Sequence, residues 1–215
     1  MKNDILEKNR AYSNMYKQKI ENSRVPTLLN KILVIECEKI KNIVDLGCGD
    51  GGVIKALEKE YPGKFKITGI DISDRRIRDL INLFPSHQFL CEDCSSTSLP
   101  DKHFDLVIAT QVIEHLPDDK KFLTEVNRIL KSYISSVIKK PWAIYKYWNN
   151  GKFVLDPTHV YEYKSKDEFL NLLENNNFIV LEYLIYRVKR KILNLHIPIP
   201  GFFIIEAICK KREKF

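Results

Sequence analysis

The chain has 215 residues, of which 44% are hydrophobic and 29% charged, as is typical of one globular domain with a sizeable core. No apolar run approaches the ~20 residues that a membrane-spanning helix needs, and the polar N-terminus lacks the apolar core of a signal peptide, so we expect a cytoplasmic protein with no membrane span. The net charge of +7 is modest evidence for an anionic partner, but the basic residues are widely spread along the sequence.

The first part of the sequence, residues 4–40, predicts two helices separated by a break near residues 22–26. Ser23 is a candidate N-cap for the second helix, and Pro26 suits its first turn. Apolar residues between Leu28 and Leu33 recur at helical spacing, which predicts one buried face for this helix.

From residue 42 onwards, strand and helix patterns alternate. Short apolar runs bounded by turn residues predict strands, and the amphipathic segments between them predict helices. This order favours an α/β domain with a doubly wound sheet. The predicted strands are 42–46, 65–71, 88–91, 104–110 and 133–138, and the predicted helices are 53–61, 74–84 and 118–130.

The pattern changes after residue 140. Ser165 followed by Glu168 is typical of a capping box and predicts a helix at 165–174. Residues 178–188 and 202–210 are rich in β-branched and aromatic residues, which predicts two strands joined by the Pro-containing segment 197–201.

Four basic residues lie at 187–191, at and just beyond the end of the predicted strand 178–188. If the strand alternates regularly, Arg187, Lys189 and Lys191 share one face. We interpret the tract as a solvated strand edge that discourages pairing with another chain, with phosphate contact as the alternative.

The five cysteines are odd in number and irregularly spaced, which argues against a disulfide framework. Cys91 and Cys94 have the C-x-x-C spacing of a metal or redox pair, but no second pair of ligands follows at a similar spacing. We interpret them as two small buried residues at a strand end.

A glycine-rich loop, Gly47-Cys48-Gly49-Asp50-Gly51, follows the first predicted strand. Glycine permits sharp turns and the close approach of a ligand to the backbone, and the following helix offers unpaired N–H groups. By spacing alone the loop fits G-x-G-x-G and the dinucleotide pattern G-x-G-x-x-G equally. Asp71, at the end of the next strand, is placed to accept hydrogen bonds from ribose hydroxyls. Asp45, before the loop, favours a ligand with a positively charged end over a pyrophosphate.

Four motifs in order resemble those of the class I S-adenosylmethionine-dependent methyltransferases, in particular the type 11-like enzymes that act on small molecules. The motifs are the runs 44–51, 69–73, 90–93 and 104–109 with 111–116, and the resemblance covers roughly residues 26–180. It implies a Rossmann-like, mostly parallel sheet of seven strands that ends in an antiparallel C-terminal hairpin. It also implies S-adenosylmethionine as the cofactor.

The resemblance implies ten residues that contact the cofactor, all near the carboxyl ends of the first four strands. The amino-acid end would be held by Asp45, Gly47, Cys48 and Gly49, the ribose by Asp71, the adenine by Ile72, Asp93 and Cys94, and the sulfonium side of the pocket would be lined by Gln111 and Val112. Residues 1–40 would be N-terminal helices covering this site, with a cap on the core edge as an equal alternative. Residues 41–215 would form the cofactor-binding domain, with a substrate-covering insertion at about 140–164.

Glu114 and His115 follow the fourth predicted strand, where this fold places the reaction. Methyl transfer requires alignment of the acceptor behind the methyl group, and a base only if the acceptor must lose a proton. His115 is the candidate base, oriented by Glu114, with His159 as a second catalytic candidate across the cleft. A hydrogen-bonded loop cap is an equal alternative for His115. These residues predict transfer to a small-molecule acceptor, at oxygen rather than nitrogen or carbon.

Two other functions stay open. Gln111, Glu114, His115 and His159 are similar to the metal ligands of the small-RNA terminal 2′-O-methyltransferases, which makes RNA the alternative acceptor. Those enzymes have Glu where this chain has Gln111, and an amide is a poorer ligand for a divalent cation, so we expect no metal site. The other possibility is a cofactor-binding protein without catalysis. An apolar pocket walled by Trp142 and Tyr145 would favour a small molecule.

One departure from the resemblance concerns the junction before the fifth strand. Relatives place a glycine-containing turn there, whereas Leu130-Lys131 here continues directly into Ser132-Tyr133. Either the turn is unusually short or a segment between Lys131 and Ser132 is missing from the sequence, and we favour the second. A separation of their Cα atoms well above ~3.8 Å would support it.

Overall fold

A computed structural model describes residues 7, 11, 20–21, 23–140, 147–149, 152–154, 163, 165–192 and 195–212. At 134–140, 147–149, 152–154, 187–192 and 195–203 the description is of the backbone. The helices in these ranges are α1 Thr27–Glu36, α2 Gly52–Glu60, α3 Asp74–Leu83, α4 Asp119–Ile129 and α5 Lys166–Asn175. The strands are β1 Asn42–Leu46, β2 Lys66–Asp71, β3 Gln88–Cys91, β4 Phe104–Thr110, β5 Leu130–Lys140, β6 Tyr147–Asn149, β7 Lys152–Val154, β8 Phe178–Ile192 and β9 Leu195–Lys211.

Seven strands form one sheet in the order β3-β2-β1-β4-β5-β9-β8, and β6 pairs with β7 separately. The first five strands pair in parallel, and β9 pairs antiparallel with both β5 and β8. This confirms the predicted doubly wound sheet with an antiparallel C-terminal hairpin. The strand order reverses between β1 and β4, and ligands of such sheets bind at the carboxyl ends of the strands beside this reversal.

Apolar side chains cover both faces of the sheet. Helices α1, α2 and α3 cover one face, where Leu29 and Ile54 are fully buried. Helices α4 and α5 cover the other face through Phe122 and Phe169. Truncation of either phenylalanine to alanine would cost roughly 3–5 kcal/mol, because the cavity would not collapse completely. With both faces covered, the carboxyl edge of the parallel strands is left for a ligand.

Three helices begin at side-chain caps. Ser73, Asp118 and Ser165 precede α3, α4 and α5, and each side chain accepts a hydrogen bond from the backbone N–H three residues later. Each cap satisfies one of the N–H groups that a helix start leaves unpaired, which stabilises the helix by about 1 kcal/mol. The predicted N-cap at Ser165 is confirmed.

Helix α1 begins differently, and the prediction of Ser23 as its N-cap is wrong. Pro26 precedes the helix and makes no side-chain cap. The N–H groups of Thr27, Leu28 and Leu29 donate instead to the carboxylate of Glu206 in β9, at 3.1, 2.6 and 3.1 Å. Glu206 is buried and also accepts a hydrogen bond from the Tyr186 hydroxyl in β8. A carboxylate 178 residues away in sequence therefore replaces a local cap.

The junction between α4 and β5 contains no separate turn. Helix α4 ends at Ile129, and β5 begins at Leu130 and continues without a break through Lys131 and Ser132. A register shift of β5 against β4 accommodates the change of direction, and the Lys211 ammonium donates to the Leu130 carbonyl at 3.0 Å. The turn in the structure is therefore unusually short, and the hypothesis of a missing segment stays a prediction.

The C-terminal hairpin is longer than predicted. The segment 197–201, predicted as a connection, lies within β9 and pairs with β8 at Ile197 and Pro198. Proline fits there because β5 pairs with β9 only up to Phe203, so this end of β9 has a partner on one side only. A register shift between Arg187 and Lys189 interrupts the regular alternation that we predicted for the basic tract. None of the helices in the described ranges is long and apolar enough to cross a membrane.

Candidate active site

The glycine-rich loop lies where β1 ends, and two hydrogen bonds fix its start against β2. The N–H groups of Gly47 and Cys48 both donate to the Ile70 carbonyl, at 2.8 and 2.9 Å. Gly47, Gly49 and Gly51 have φ values of 73°, 56° and 81°, which side chains other than glycine rarely adopt. The backbone therefore turns sharply at the carboxyl edge of the sheet before α2 begins.

Asp45 is the most unusual ionisable group at this edge. Its side chain is 1% exposed, and its Oδ1 atom has no hydrogen-bond partner among the described residues. Burial, with a further contribution from the charge of Asp71, raises the pKa of Asp45 to about 7. A buried carboxyl group without a partner is costly, so the site is suited to a ligand that brings a positive charge or a donor to it.

Asp71 ends β2 and holds the loop from the other side. Its Oδ2 atom accepts from the Gly49 N–H at 2.9 Å and its Oδ1 atom from the Ser73 N–H at 2.8 Å. Burial raises the pKa of Asp71, although these hydrogen bonds and the nearby Arg76 charge oppose the shift. A carboxylate accepts about four hydrogen bonds, so two remain for a ligand.

Arg76 and Asp50 belong to the site although the sequence reasoning did not identify them. Arg76 lies on the inner face of α3, with its Nε atom 3.6 Å from Asp50 and its Nη1 atom 3.8 Å from Asp71. Arg75 approaches Asp50 from the same helix at 3.5 Å. The sequence feature that could have identified Arg76 is its spacing in α3. It lies four residues before the buried Leu80 and therefore on the same helical face.

Gln111 and Val112 follow β4 and meet the glycine loop. The space beside Gly47 is filled by Val112, because a Cβ atom added at Gly47 would lie 2.5 Å from the Val112 Cγ2 atom. Gln111 has a φ of 56°, a left-handed conformation that costs about 1–3 kcal/mol for a residue other than glycine. The end of β4 is thus held in a sharp bend directly against the loop, as the predicted pocket requires.

The predicted adenine-side residues lie at the ends of β2 and β3. Asp93 accepts a hydrogen bond from the Ser95 N–H at 2.8 Å. Cys94 is buried, and burial together with the charges of Asp93 and Asp71 raises its pKa. The neighbouring Ile72 is half-buried and accepts the Cys91 thiol at its carbonyl. Cys91 is exposed, so the prediction that both cysteines are buried is wrong for this residue.

Cys48 faces the sheet. A Cβ atom added at Gly69 would lie 3.0 Å from its Sγ atom, and burial raises the pKa of its thiol well above the usual range. Its N–H already donates to Ile70. Cys48 therefore shapes the turn between Gly47 and Gly49.

Glu114 and His115 form a short 3-10 turn after β4. The His115 N–H donates to the Val112 carbonyl at 2.9 Å, and the His115 side chain is half-buried. Glu114 is 2% exposed. Burial and the charges of Asp119 and Glu114 raise the pKa of Tyr163, which lies in the segment before α5. The Tyr163 hydroxyl donates to the Asp119 carboxylate at 3.4 Å, so the segment that leads out of the predicted insertion contacts the start of α4.

Part of the predicted site lies outside the described residues. This holds for His159, Trp142 and Tyr145, and for most of residues 1–22. Of the N-terminal segment, Ile20 and Ser23 are described, and both lie within 4 Å of a Cβ atom added at Gly52, at the start of α2. No group of three or more His, Cys, Asp or Glu side chains in the described part of the chain is arranged to hold a metal ion.

Comparisons with known proteins match one segment of the sequence and the fold. A family model described as a methyltransferase domain matches residues 44–133. A 2-methyl-6-phytyl-1,4-hydroquinone methyltransferase from a Synechocystis strain is 35% identical over 92 residues, which cover 41% of this chain and 28% of that protein. An ajmaline N-methyltransferase from Rauvolfia serpentina is 33% identical over 107 residues, covering 47% of this chain and 36% of that protein. The chain thus spans well under two thirds of the length of these curated relatives.

The fold is shared over nearly the whole chain with a solved structure. A crystal structure of an S-adenosylmethionine-dependent methyltransferase from Methanosarcina mazei superposes with a TM-score of 0.65 and covers 89% of this chain and 100% of that one. The identity is 20%, so this likeness concerns the fold.

Proposed function

We propose that this chain, whose matched segment and fold are those of the class I S-adenosylmethionine-dependent methyltransferases, transfers the methyl group of S-adenosylmethionine to a small-molecule acceptor. The proposal covers the reaction and the kind of acceptor. Within it, oxygen is the favoured acceptor atom, since a base is available beside the pocket.

The observation that carries the proposal is the buried Oδ1 atom of Asp45, which has no hydrogen-bond partner among the described residues. Burial and the charge of Asp71 raise the pKa of this carboxyl group to about 7. A ligand with an ammonium or sulfonium charge would supply the missing partner. A nicotinamide dinucleotide would instead bring its pyrophosphate towards two buried carboxylates.

Other residues at the carboxyl edge of the sheet would make the remaining contacts with S-adenosylmethionine. Asp71 has free acceptor capacity for ribose hydroxyls, and the Gly47 and Gly49 turn lets the ligand approach the backbone. Ile72, Asp93 and Cys94 lie on the adenine side, and Gln111 and Val112 lie below the reacting group. When bound, S-adenosylmethionine supplies an electrophilic methyl group on a sulfonium, and the chain aligns the acceptor behind it.

Proton removal from the acceptor is assigned to His115. Its imidazole follows β4 and is half-buried, and neutral imidazole is a base of suitable strength near pH 7. Glu114 is too deeply buried for a direct substrate contact, so its role is to orient the turn that carries His115. His159 remains a proposed second contact, and residues 1–40 a proposed cover, supported by the position of Ile20 and Ser23 beside α2.

Calorimetry and labelled methyl transfer test the proposal together. The chain should bind S-adenosylmethionine and its demethylated product, S-adenosylhomocysteine, and should transfer labelled methyl to a component of a metabolite fraction. His115→Ala should keep cofactor affinity and lower the rate of transfer to a hydroxyl by about 10²–10⁴-fold. Labelling of an RNA fraction alone, or cofactor binding without transfer to any fraction, would reject it.

A further inference from the structure

The positive charge of the chain is concentrated in two segments. Residues 132–155 and 183–205 together hold eight Lys and Arg residues and no Asp or Glu. The rest of the chain holds 27 basic and 28 acidic residues and is therefore almost neutral. The basic residues themselves are widely spread, and these two segments stand out because they contain no acidic residue.

The sheet brings basic residues of both segments, at the ends of β5 and β8, to the edge that carries the glycine loop. Lys139 and Lys140 end β5, which runs parallel to β1 and β4, so they lie at the carboxyl edge. Phe203 of β9 pairs with Lys140 on one side and with Arg187 of β8 on the other. The basic tract 187–191 therefore extends beyond Lys140, past the ends of the parallel strands. There β8 pairs with β9 alone, and we call this two-stranded part, residues 187–203, the ribbon.

Charge is thus divided along one edge of the sheet. In the strand order β3-β2-β1-β4-β5-β9-β8, the first three strands end at or close to the carboxyl groups Asp93, Asp71 and Asp45. The strands on the other side of β4 end in Lys139, Lys140 and the basic tract. The acidic half suits a cationic cofactor, and the basic half suits an anion.

Strand geometry gives the distance between the reacting group and the basic half. Val137 of β5 pairs with Thr110, the last residue of β4, and Lys140 lies three residues further along β5. Lys140, and Arg187 level with it in the sheet, therefore lie about 10 Å beyond the end of β4 along the strand direction. Strand β8 is three positions from β4, which corresponds to about 14 Å across the sheet. A molecule of metabolite size spans these distances.

We infer that the methyl acceptor is a small molecule bearing a phosphate group, held by the basic residues of β5 and β8 while its other end reaches His115. This inference rests on the proposed function, since it names the acceptor of that same site. Lysine and arginine bind phosphate through charge-assisted hydrogen bonds, and no acidic residue in either segment competes for them.

Two triple variants with the same change in charge test the inference. The first removes the ribbon charges through Lys189→Gln, Arg190→Gln and Lys191→Gln. The matched control removes exposed lysines remote from the carboxyl edge through Lys41→Gln, Lys59→Gln and Lys66→Gln. The probe is inorganic pyrophosphate, titrated by calorimetry onto the full chain saturated with S-adenosylhomocysteine, at low and at physiological ionic strength.

The wild type should bind pyrophosphate saturably, and more weakly as salt is added. The ribbon variant should bind it at least about tenfold more weakly, and the control variant within about twofold of the wild type. Equal losses in both variants, or no saturable binding to the wild type, would overturn the inference. So would an RNA oligonucleotide that binds more than about tenfold tighter than pyrophosphate and loses this affinity in the ribbon variant, because it would assign the surface to nucleic acid.

The S-adenosylhomocysteine titration that precedes the probe separates the two proposals. Its dissociation constant should be the same for all three proteins, since none of the substituted residues lies at the glycine loop. Absence of this binding in the wild type would count against the proposed function. Normal cofactor binding with no response to pyrophosphate would reject the phosphate-bearing acceptor alone.

Discussion

Replacement of Asp45 by asparagine should stabilise the cofactor-free chain at alkaline pH and weaken cofactor binding. The carboxyl group has an ordinary pKa of 3.8 when unfolded and a pKa of about 7 when buried in the folded chain. The folded state therefore retains a proton that the unfolded state has lost, and stability falls as the pH rises through this window. The difference corresponds to as much as about 4 kcal/mol above pH 7.

Asp45→Asn removes this cost because the amide carries no charge at any pH. Thermal unfolding at pH 8.5 should show a higher Tm for the variant, by about 2–4 °C for each kcal/mol recovered. At pH 4 the carboxyl group is protonated in the folded state and largely protonated in the unfolded state, so the two proteins should differ by less than about 1 kcal/mol. Calorimetry at pH 8.5 should show S-adenosylmethionine bound about 10- to 100-fold more weakly, because a charge-assisted contact is lost.

Asp105→Asn is the matched control with the opposite sign. Burial of Asp105 acts to raise its pKa, but hydrogen bonds from the Asn42 and Lys41 N–H groups and from Lys131 outweigh it and lower the pKa. The Asp105 carboxylate therefore stabilises the fold at pH values above its unfolded pKa, and this stabilisation is lost as the pH falls through its folded pKa. The control should therefore be less stable than wild type at pH 8.5 and keep cofactor affinity. A lower Tm for Asp45→Asn at both pH values, or unchanged cofactor affinity, would refute the reasoning.

The remaining predictions concern the loop and the first helix. Gly47→Ala forces a positive φ on alanine and a 2.5 Å contact with Val112, so cofactor affinity should fall. Adding Val112→Ala should restore only part of this affinity, because the left-handed backbone still costs about 1–2 kcal/mol. Full recovery in the double variant would show that the contact alone matters. Glu206→Gln should lower the free energy of unfolding by about 2–4 kcal/mol, since three N–H groups of α1 lose a charged acceptor. The control Glu182→Gln, which removes an exposed ion pair with Lys31, should stay within about 0.5 kcal/mol of wild type in denaturant unfolding.

The sequence predicted the parts of the structure that depend on local patterns. The strand before Gly47, the position of Asp71 and the cap at Ser165 follow from apolar periodicity and from turn and cap residues, and the structure confirms each of them. The alternation of strands and helices was sufficient to predict a doubly wound sheet, whereas the order of its strands comes from the structure.

The features that the sequence did not reveal depend on contacts between distant segments. In the sequence, nothing distinguishes Glu206 from other acidic residues of a strand. Only the pairing of β9 places it under the start of α1. The length of the hairpin depends on which strands flank β9, since Pro198 is acceptable only where β5 has ended. The inward position of Arg76 could be predicted from its spacing along the helix. Its carboxylate neighbours Asp50 and Asp71 could not, because they come from the loop after β1 and from the end of β2.

The contact between Glu206 and α1 has a consequence for the order of events during translation. The ribosome releases Thr27 early, yet the acceptor for its N–H lies 179 positions later in the sequence. Until β9 emerges from the exit tunnel, the first turn of α1 has no acceptor other than solvent, and its packing on the sheet stays incomplete. Emergence of β9 and docking of α1 are therefore coupled, and truncation before residue 206 should leave α1 exposed to proteases.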